Sequence, residues 1–155
     1  MPDTLQAELK QRKPFPRVTA EALVSVLRTA AVLDHQMTEA LKPYGITHTQ
    51  YNVLRILRGA GVDGLCGREV AGRMVSRVPD VSRLLDRMEE TGLISRERDP
   101  DDRRHVTARI TRKGLAVLEQ ATPQLEAVER ARFGQVHDGQ LRQLIEVLTS
   151  VRGNP

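Results

Sequence analysis

The sequence is short of several things that common functional classes require. It holds one cysteine, Cys66, so it forms no internal disulfide and no multi-cysteine metal site. The four histidines, His35, His48, His105 and His137, lie on separate segments without the i, i+4 spacing of a ligand pair, and no metal is expected. Tryptophan is absent, and two tyrosines with two phenylalanines are too few to line a large aromatic cavity, so no cofactor is expected. No apolar run approaches the roughly 18 residues of a membrane span. No leader pattern of charged, apolar and small residues opens the chain, so no membrane partner is expected and the expected address is cytoplasmic. The acids are scattered over helix surfaces, with neither a nucleophile beside a base nor convergent carboxylates, and the chain does not read as an enzyme.

What is present is a 155-residue chain, 39% hydrophobic and 28% charged, enough for one compact domain or two small lobes. Twenty-four Lys and Arg against 20 Asp and Glu give +4, and residues 66–114, with twelve basic and nine acidic side chains, hold +3 of it. Within that segment 103–113 carries Arg103, Arg104, Arg109, Arg112 and Lys113 and no acid. Such a run reads either as a solvated basic face or as an edge that meets phosphate.

Periodicity divides the chain. Residues 1–17 are polar, aperiodic and closed by Pro14 and Pro16, and read as a frayed arm. From Val18 the residues Leu23, Val26, Leu27, Ala30, Leu33, Met37 and Leu41 recur at helical spacing until Pro43 and Gly45 stop them. Thr47 with Gln50 three residues on is a capping box for a second helix through Tyr51, Leu54 and Leu57. A glycine-rich loop leads to a short helix over about 67–74 with Val70, Ala71 and Met74 inward. A three- or four-residue turn follows, and a helix is predicted to begin with Pro79 at its first position and to stop at Gly92. The period then becomes alternating on both sides of Asp99-Pro100-Asp101-Asp102, the pattern of a two-stranded hairpin. Thr111 caps a long helix that Pro123 is expected to kink or divide, and a last helix runs from about Asp138 to Gly153.

Two helices joined by a short turn can hold the second at the height of a DNA major groove. On the helix from Pro79, Val81, Leu84, Leu85 and Met88 share one face at 100° per residue, leaving Ser82, Arg83, Asp86, Arg87 and Glu90 outside. Pro79, Asp80, Ser82 and Arg83 are the candidates to face bases, Arg87 lies further along the same face, and Ser76 and Arg77 in the turn are placed for phosphate. Arg103 and Arg104 at the hairpin tip suit a minor groove, where inserted guanidinium meets concentrated negative potential. Asp102 beside them is expected to pair with the Arg104 side chain and aim it. The terminal helices carry apolar stripes that the small central lobe cannot cover, which asks for a homodimer.

Residues 67–114, GREVAGRMVSRVPDVSRLLDRMEETGLISRERDPDDRRHVTARITRKG, resemble the winged helix-turn-helix of the MarR family of transcriptional regulators. The similar pieces are VSRLLDRMEETGLISR and the triplet Asp102-Arg103-Arg104 with Thr111 and Gly114 behind it, and YGITHTQYNVLRIL extends the likeness toward the N-terminus. The resemblance implies a mainly α fold with a small β-hairpin wing: an arm at 1–17, an N-terminal dimerisation helix at 18–44, a winged DNA-binding lobe at 45–114 and C-terminal dimerisation helices at 115–155. It implies a homodimer on a pseudo-palindromic double-stranded operator, repressing in most cases, with Arg104 as the minor-groove arginine, Asp102 as its partner and Pro79 to Arg83 opening the recognition helix. It also implies a small-molecule effector, for which a small aromatic acid is the expected class and Tyr44, Tyr51, Arg55 and His35 are the polar and aromatic groups near the junction. Two other readings stand beside this one: a dimeric winged-helix adaptor that binds protein and not DNA, and a thiol-based redox sensor acting through Cys66, which opens the short helix next to Arg68.

Overall fold

The computed structural model describes residues 4–153, and the chain divides into two compact units, one ending at Glu39 and the other beginning at Ala40. The first unit is helical. Extended Thr4 accepts the Ala7 N–H on its hydroxyl and starts a one-turn helix, α1 (Leu5–Glu8), so the arm expected over 1–17 is folded in part. Glu8 lies 3.9 Å from the Arg28 guanidinium. Helix α2 (Val18–Leu41) follows the predicted bounds, since nothing between Val18 and Leu41 breaks a helix and Pro43 lies just beyond in a 3-10 turn. The N-terminal half of its apolar stripe is open to solvent, with Leu23 and Leu27 each 61% exposed, while Leu33 and Met37 are half-buried and Leu41 is buried.

The second unit begins its core with α3 (His48–Ala60). Thr47 Oγ1 accepts the Gln50 N–H and Gln50 Oε1 accepts the Thr47 N–H, both at 3.1 Å, which satisfies two donors that a helix start leaves free. Strand β1 (Leu65–Cys66), α4 (Gly67–Arg73), α5 (Val81–Glu90), β2 (Ile94–Arg98) and β3 (Val106–Ile110) come next. They are followed by α6 (Arg112–Phe133) and α7 (Asp138–Arg152). The predicted hairpin is β2–β3, in register from Ile94 opposite Ile110 to Arg98 opposite Val106. It is one strand larger than expected, because β1 pairs with the other side of β3 through Leu65 opposite Ala108 and gives an antiparallel sheet in the order β1-β3-β2. Gly64, with φ +65°, brings β1 to that edge; a Cβ there would collide with the Ala108 carbonyl and the Arg109 and Thr107 side chains.

Thr111 caps α6 as expected, its hydroxyl oxygen accepting the Gly114 N–H at 3.1 Å. Gly114 is buried, and a Cβ added there would collide with the Leu93 carbonyl oxygen, which leaves no room for a side chain. Pro123 does not divide α6, which runs on to Phe133. Leu54, Leu57, Val70, Leu85, Met88, Ile94, Ala108 and Leu118 join helices and sheet in one apolar core, and no polar or charged residue is buried among the described residues. Each such large side chain contributes about 1.5–3 kcal/mol on leaving water. Ala71, expected inside, is exposed, and α7 buries nothing: Ile145 is 61% and Val151 72% exposed. No helix among the described residues is long and apolar enough to cross a membrane.

Candidate nucleic-acid interface

Helix α5 presents the face that its 100° periodicity assigns it. Leu85 and Met88 are buried, Val81 and Leu84 half-buried, and Ser82, Arg83, Asp86, Arg87 and Glu90 exposed. Its start differs from the expectation. Pro79 lies outside the helix, Asp80 is the N-cap, and Asp80 Oδ1 accepts the Arg83 N–H at 2.9 Å. A carboxylate at the cap satisfies an orphan donor and complements the positive helix end, which a start at proline would not do. The segment between α4 and α5 is therefore residues 74–80, longer than three or four, with Ser76, Arg77 and Pro79 exposed on it. Asn52 on α3 holds this segment by accepting the Val75 N–H at 2.8 Å. Nothing in the spacing of the sequence marks Asn52 for that task.

The wing tip is closed by its own backbone. The Asp99 N–H donates to the His105 carbonyl and the His105 N–H to the Asp102 carbonyl, both at 2.9 Å, while Asp99 Oδ1 accepts from the Asp101 N–H at 2.8 Å. Asp102 does not pair with the Arg104 guanidinium as expected. Its Oδ1 accepts the Arg104 backbone N–H at 3.0 Å, the two-residue turn that aspartate forms readily because its short side chain reaches its own downstream backbone. Arg103 and Arg104 are left exposed, with no ion-pair partner among the described residues.

The acid-free run is only partly a free surface. Arg109 donates from Nε to the Val62 carbonyl at 2.7 Å and pairs with Glu97 at 3.2 Å. Lys113 Nζ donates to the Thr91 carbonyl at 2.6 Å, closing the C-terminal end of α5. Two of the five cations thus serve the fold, which corrects the reading of 103–113 as a continuous edge for phosphate.

Arg96, which the sequence reading passed over, bridges β2 and α5. Its Nη2 donates to Asp86 Oδ1 and, at 3.1 Å, to Glu89 Oε1, while its own N–H donates to Glu89 Oε2 at 3.0 Å. Its Nε is buried without an acceptor. Burial works against the charge, but the bonds to Asp86 and Glu89 outweigh it and raise its pKa.

These elements enclose a cleft of about 500 Å³ lined by Cys66, Arg68, Ser82, Arg96, Arg104 and His105 among others, so one concavity is shared by the outward face of α5 and the wing. Cys66 is half-buried there as the cap of α4, and its N–H donates to Glu69 Oε2 at 2.8 Å. Hydrogen bonding to Cys66 holds the Glu69 carboxyl below its ordinary value. Among the residues expected at the effector junction, Tyr51 is buried with its hydroxyl 3.0 Å from the Thr122 hydroxyl, and Arg55 is exposed.

A helix presented by its polar side, with a hairpin beside it ending in exposed arginines, defines a winged helix-turn-helix, a class of DNA-binding protein. Residues 46–106 match the MarR family. A helix-turn-helix-type transcriptional regulator of Bacillus cereus is 31% identical over 114 residues, spanning 73% of this chain and 74% of that protein. The chain belongs to the MarR family of transcriptional regulators. Among solved structures it is similar to the M. tuberculosis regulator MOSR in complex with DNA, with a TM-score of 0.67 at 27% identity over 82% of this chain and 92% of that one. It is also similar to CouR of Rhodococcus jostii RHA1 bound to p-coumaroyl-CoA, with a TM-score of 0.73 at 25% identity over 91% and 98%.

Proposed function

We propose that this protein is a homodimeric repressor that binds a pseudo-palindromic operator and is released by a small-molecule effector. The observation that carries the DNA reading is the shared cleft, with Ser82 of α5 and Arg104 of the wing on its wall. In this reading α5 enters the major groove with Ser82 and Arg83 toward bases, near Pro79 and the Asp80 cap. Ser76, Arg77, Arg87 and Arg103 meet phosphate, and Arg104 enters the minor groove from a tip that Asp102 shapes.

The dimer reading is supported by the exposed apolar side chains of α2 and α7, which a second copy would cover; in this reading 18–44 and 115–155 are the dimerisation segments, although Leu118, Ala121 and Leu125 of α6 are already buried within one chain. CouR's bound p-coumaroyl-CoA supports an effector with an aromatic acid part. Such an effector would act by favouring a dimer whose recognition helices have the wrong spacing, a shift of a few kcal/mol.

Selection of bound sequences from random duplex DNA tests the reading. Enrichment of a palindromic motif with an A/T-rich flank is the expected result. No enrichment overturns it in favour of the protein-binding adaptor. The thiol reading is tested on the selected operator with graded oxidant, and identical release of wild type and Cys66→Ser removes it.

A further inference from the structure

We infer that Arg96 is a positioning residue for DNA reading: it fixes the recognition helix against the wing so that major-groove and minor-groove contacts are made at one setting. The inference rests on the proposed DNA function and adds a part to it. The two reading elements lie on different supports, Ser82 and Arg83 on α5 and Arg104 at the tip of the β2–β3 hairpin. Arg96 joins those supports through side chain and backbone at once. Its guanidinium takes Asp86 and Glu89, one turn apart on α5, and its N–H takes the other oxygen of Glu89.

Both carboxylates are taken by one nitrogen, Nη2, and with the backbone bond to Glu89 they give contacts one turn apart on the helix, which resist its rolling and sliding more than a single contact does. The hydrophobic contacts of Leu85 and Met88 beneath α5 are non-directional and set its depth more than its rotation. Arg96 lines the same cleft as Ser82 and Arg104, and its single positive charge offsets part of the negative charge of two acids on the helix that is to approach phosphate.

The test compares wild type, Arg96→Gln and Arg96→Lys on the selected operator and on unrelated duplex DNA, and follows amide exchange of the DNA-free protein. For Arg96→Gln we expect operator affinity to fall about 10- to 100-fold, the size of losing one well-read base pair, while affinity for unrelated DNA changes much less. The amides of α5 should exchange faster while those of α3 and α6 keep their rates, and Arg96→Lys should recover part of both effects.

An equal fall on operator and unrelated DNA would mean that Arg96 only masks acidic charge, and would overturn the inference. Acceleration in every element, or none in α5, would overturn it as well, the first by making Arg96 a general stabiliser. If wild type binds no duplex at all, the DNA function itself has failed, and with it the positioning role. The exchange result, which uses no DNA, then still reports whether Arg96 fastens α5.

Discussion

Arg104 and Asp102 show how single residues divide between contact and support. Arg104 is exposed and its guanidinium has no ion-pair partner among the described residues, so Arg104→Ala should leave thermal unfolding nearly unchanged while weakening operator binding by about 1–3 kcal/mol, read by titration of labelled operator. Asp102 bonds the Arg104 backbone and not its guanidinium, which separates two substitutions that an ion pair would make equivalent. Asp102→Asn keeps the acceptor oxygen and should bind operator close to wild type, whereas Asp102→Ala loses the bond to the Arg104 N–H while the backbone closure of the tip remains, and should cost about 1 kcal/mol in the same titration. At Gly114 the Leu93 carbonyl fills the space a side chain would need, so Gly114→Ala should lower stability by about 1–3 kcal/mol in urea unfolding. Local chemistry of this kind was legible in the sequence where partner and residue are neighbours, as at Thr47 with Gln50 and at Thr111. Asn52 and Val75, or Arg109 and Val62, are brought together only by the fold, and no spacing rule finds them.

Among the elements, the helices from α2 onward and both hairpin strands could be read from their periods, while α1, the start of α5 and the smallest strand could not. Strand β1 has two residues, too few to show alternation, and exists because Gly64 lets the chain reach the free side of β3. The start of α5 moved by two residues because proline geometry and an aspartate cap competed, and the cap bond to Arg83 prevailed. Asp80→Ala should therefore destabilise the protein by about 1 kcal/mol in chemical unfolding. Helix α4 offers a pH test. The folded pKa of Glu69 lies below its ordinary 4.5, so the ionised carboxylate stabilises the fold above that value and its contribution is lost as pH falls through the lowered folded value. Glu69→Gln should accordingly be less stable than wild type at pH 7, and urea titrations should show the gap closing as the pH is taken below about 4.5.

For the whole molecule, the net charge of +4 said less than its disposition. Arg109 and Lys113 are held by the fold, and the cations left for DNA in the proposed reading are Arg77, Arg83, Arg87, Arg103 and Arg104. A dimer making roughly 6–10 phosphate contacts should lose about 10³- to 10⁵-fold in affinity between roughly 50 and 200 mM salt. A flat salt response would contradict the DNA reading. Charging the open stripe of α7 with Ile145→Asp and Val151→Asp should convert a dimer to monomer in sedimentation and abolish operator binding, because each half-site alone is weak. The wing tip carries a last consequence. Residues 99–105 close on themselves through the Asp99–His105 bond and bury no apolar side chain, so the tip is an interchangeable cassette. Descendants of one ancestral regulator could trade tips, and with them preferences for flanking sequence, while the helix that reads the half-site and the core beneath it stayed as they were.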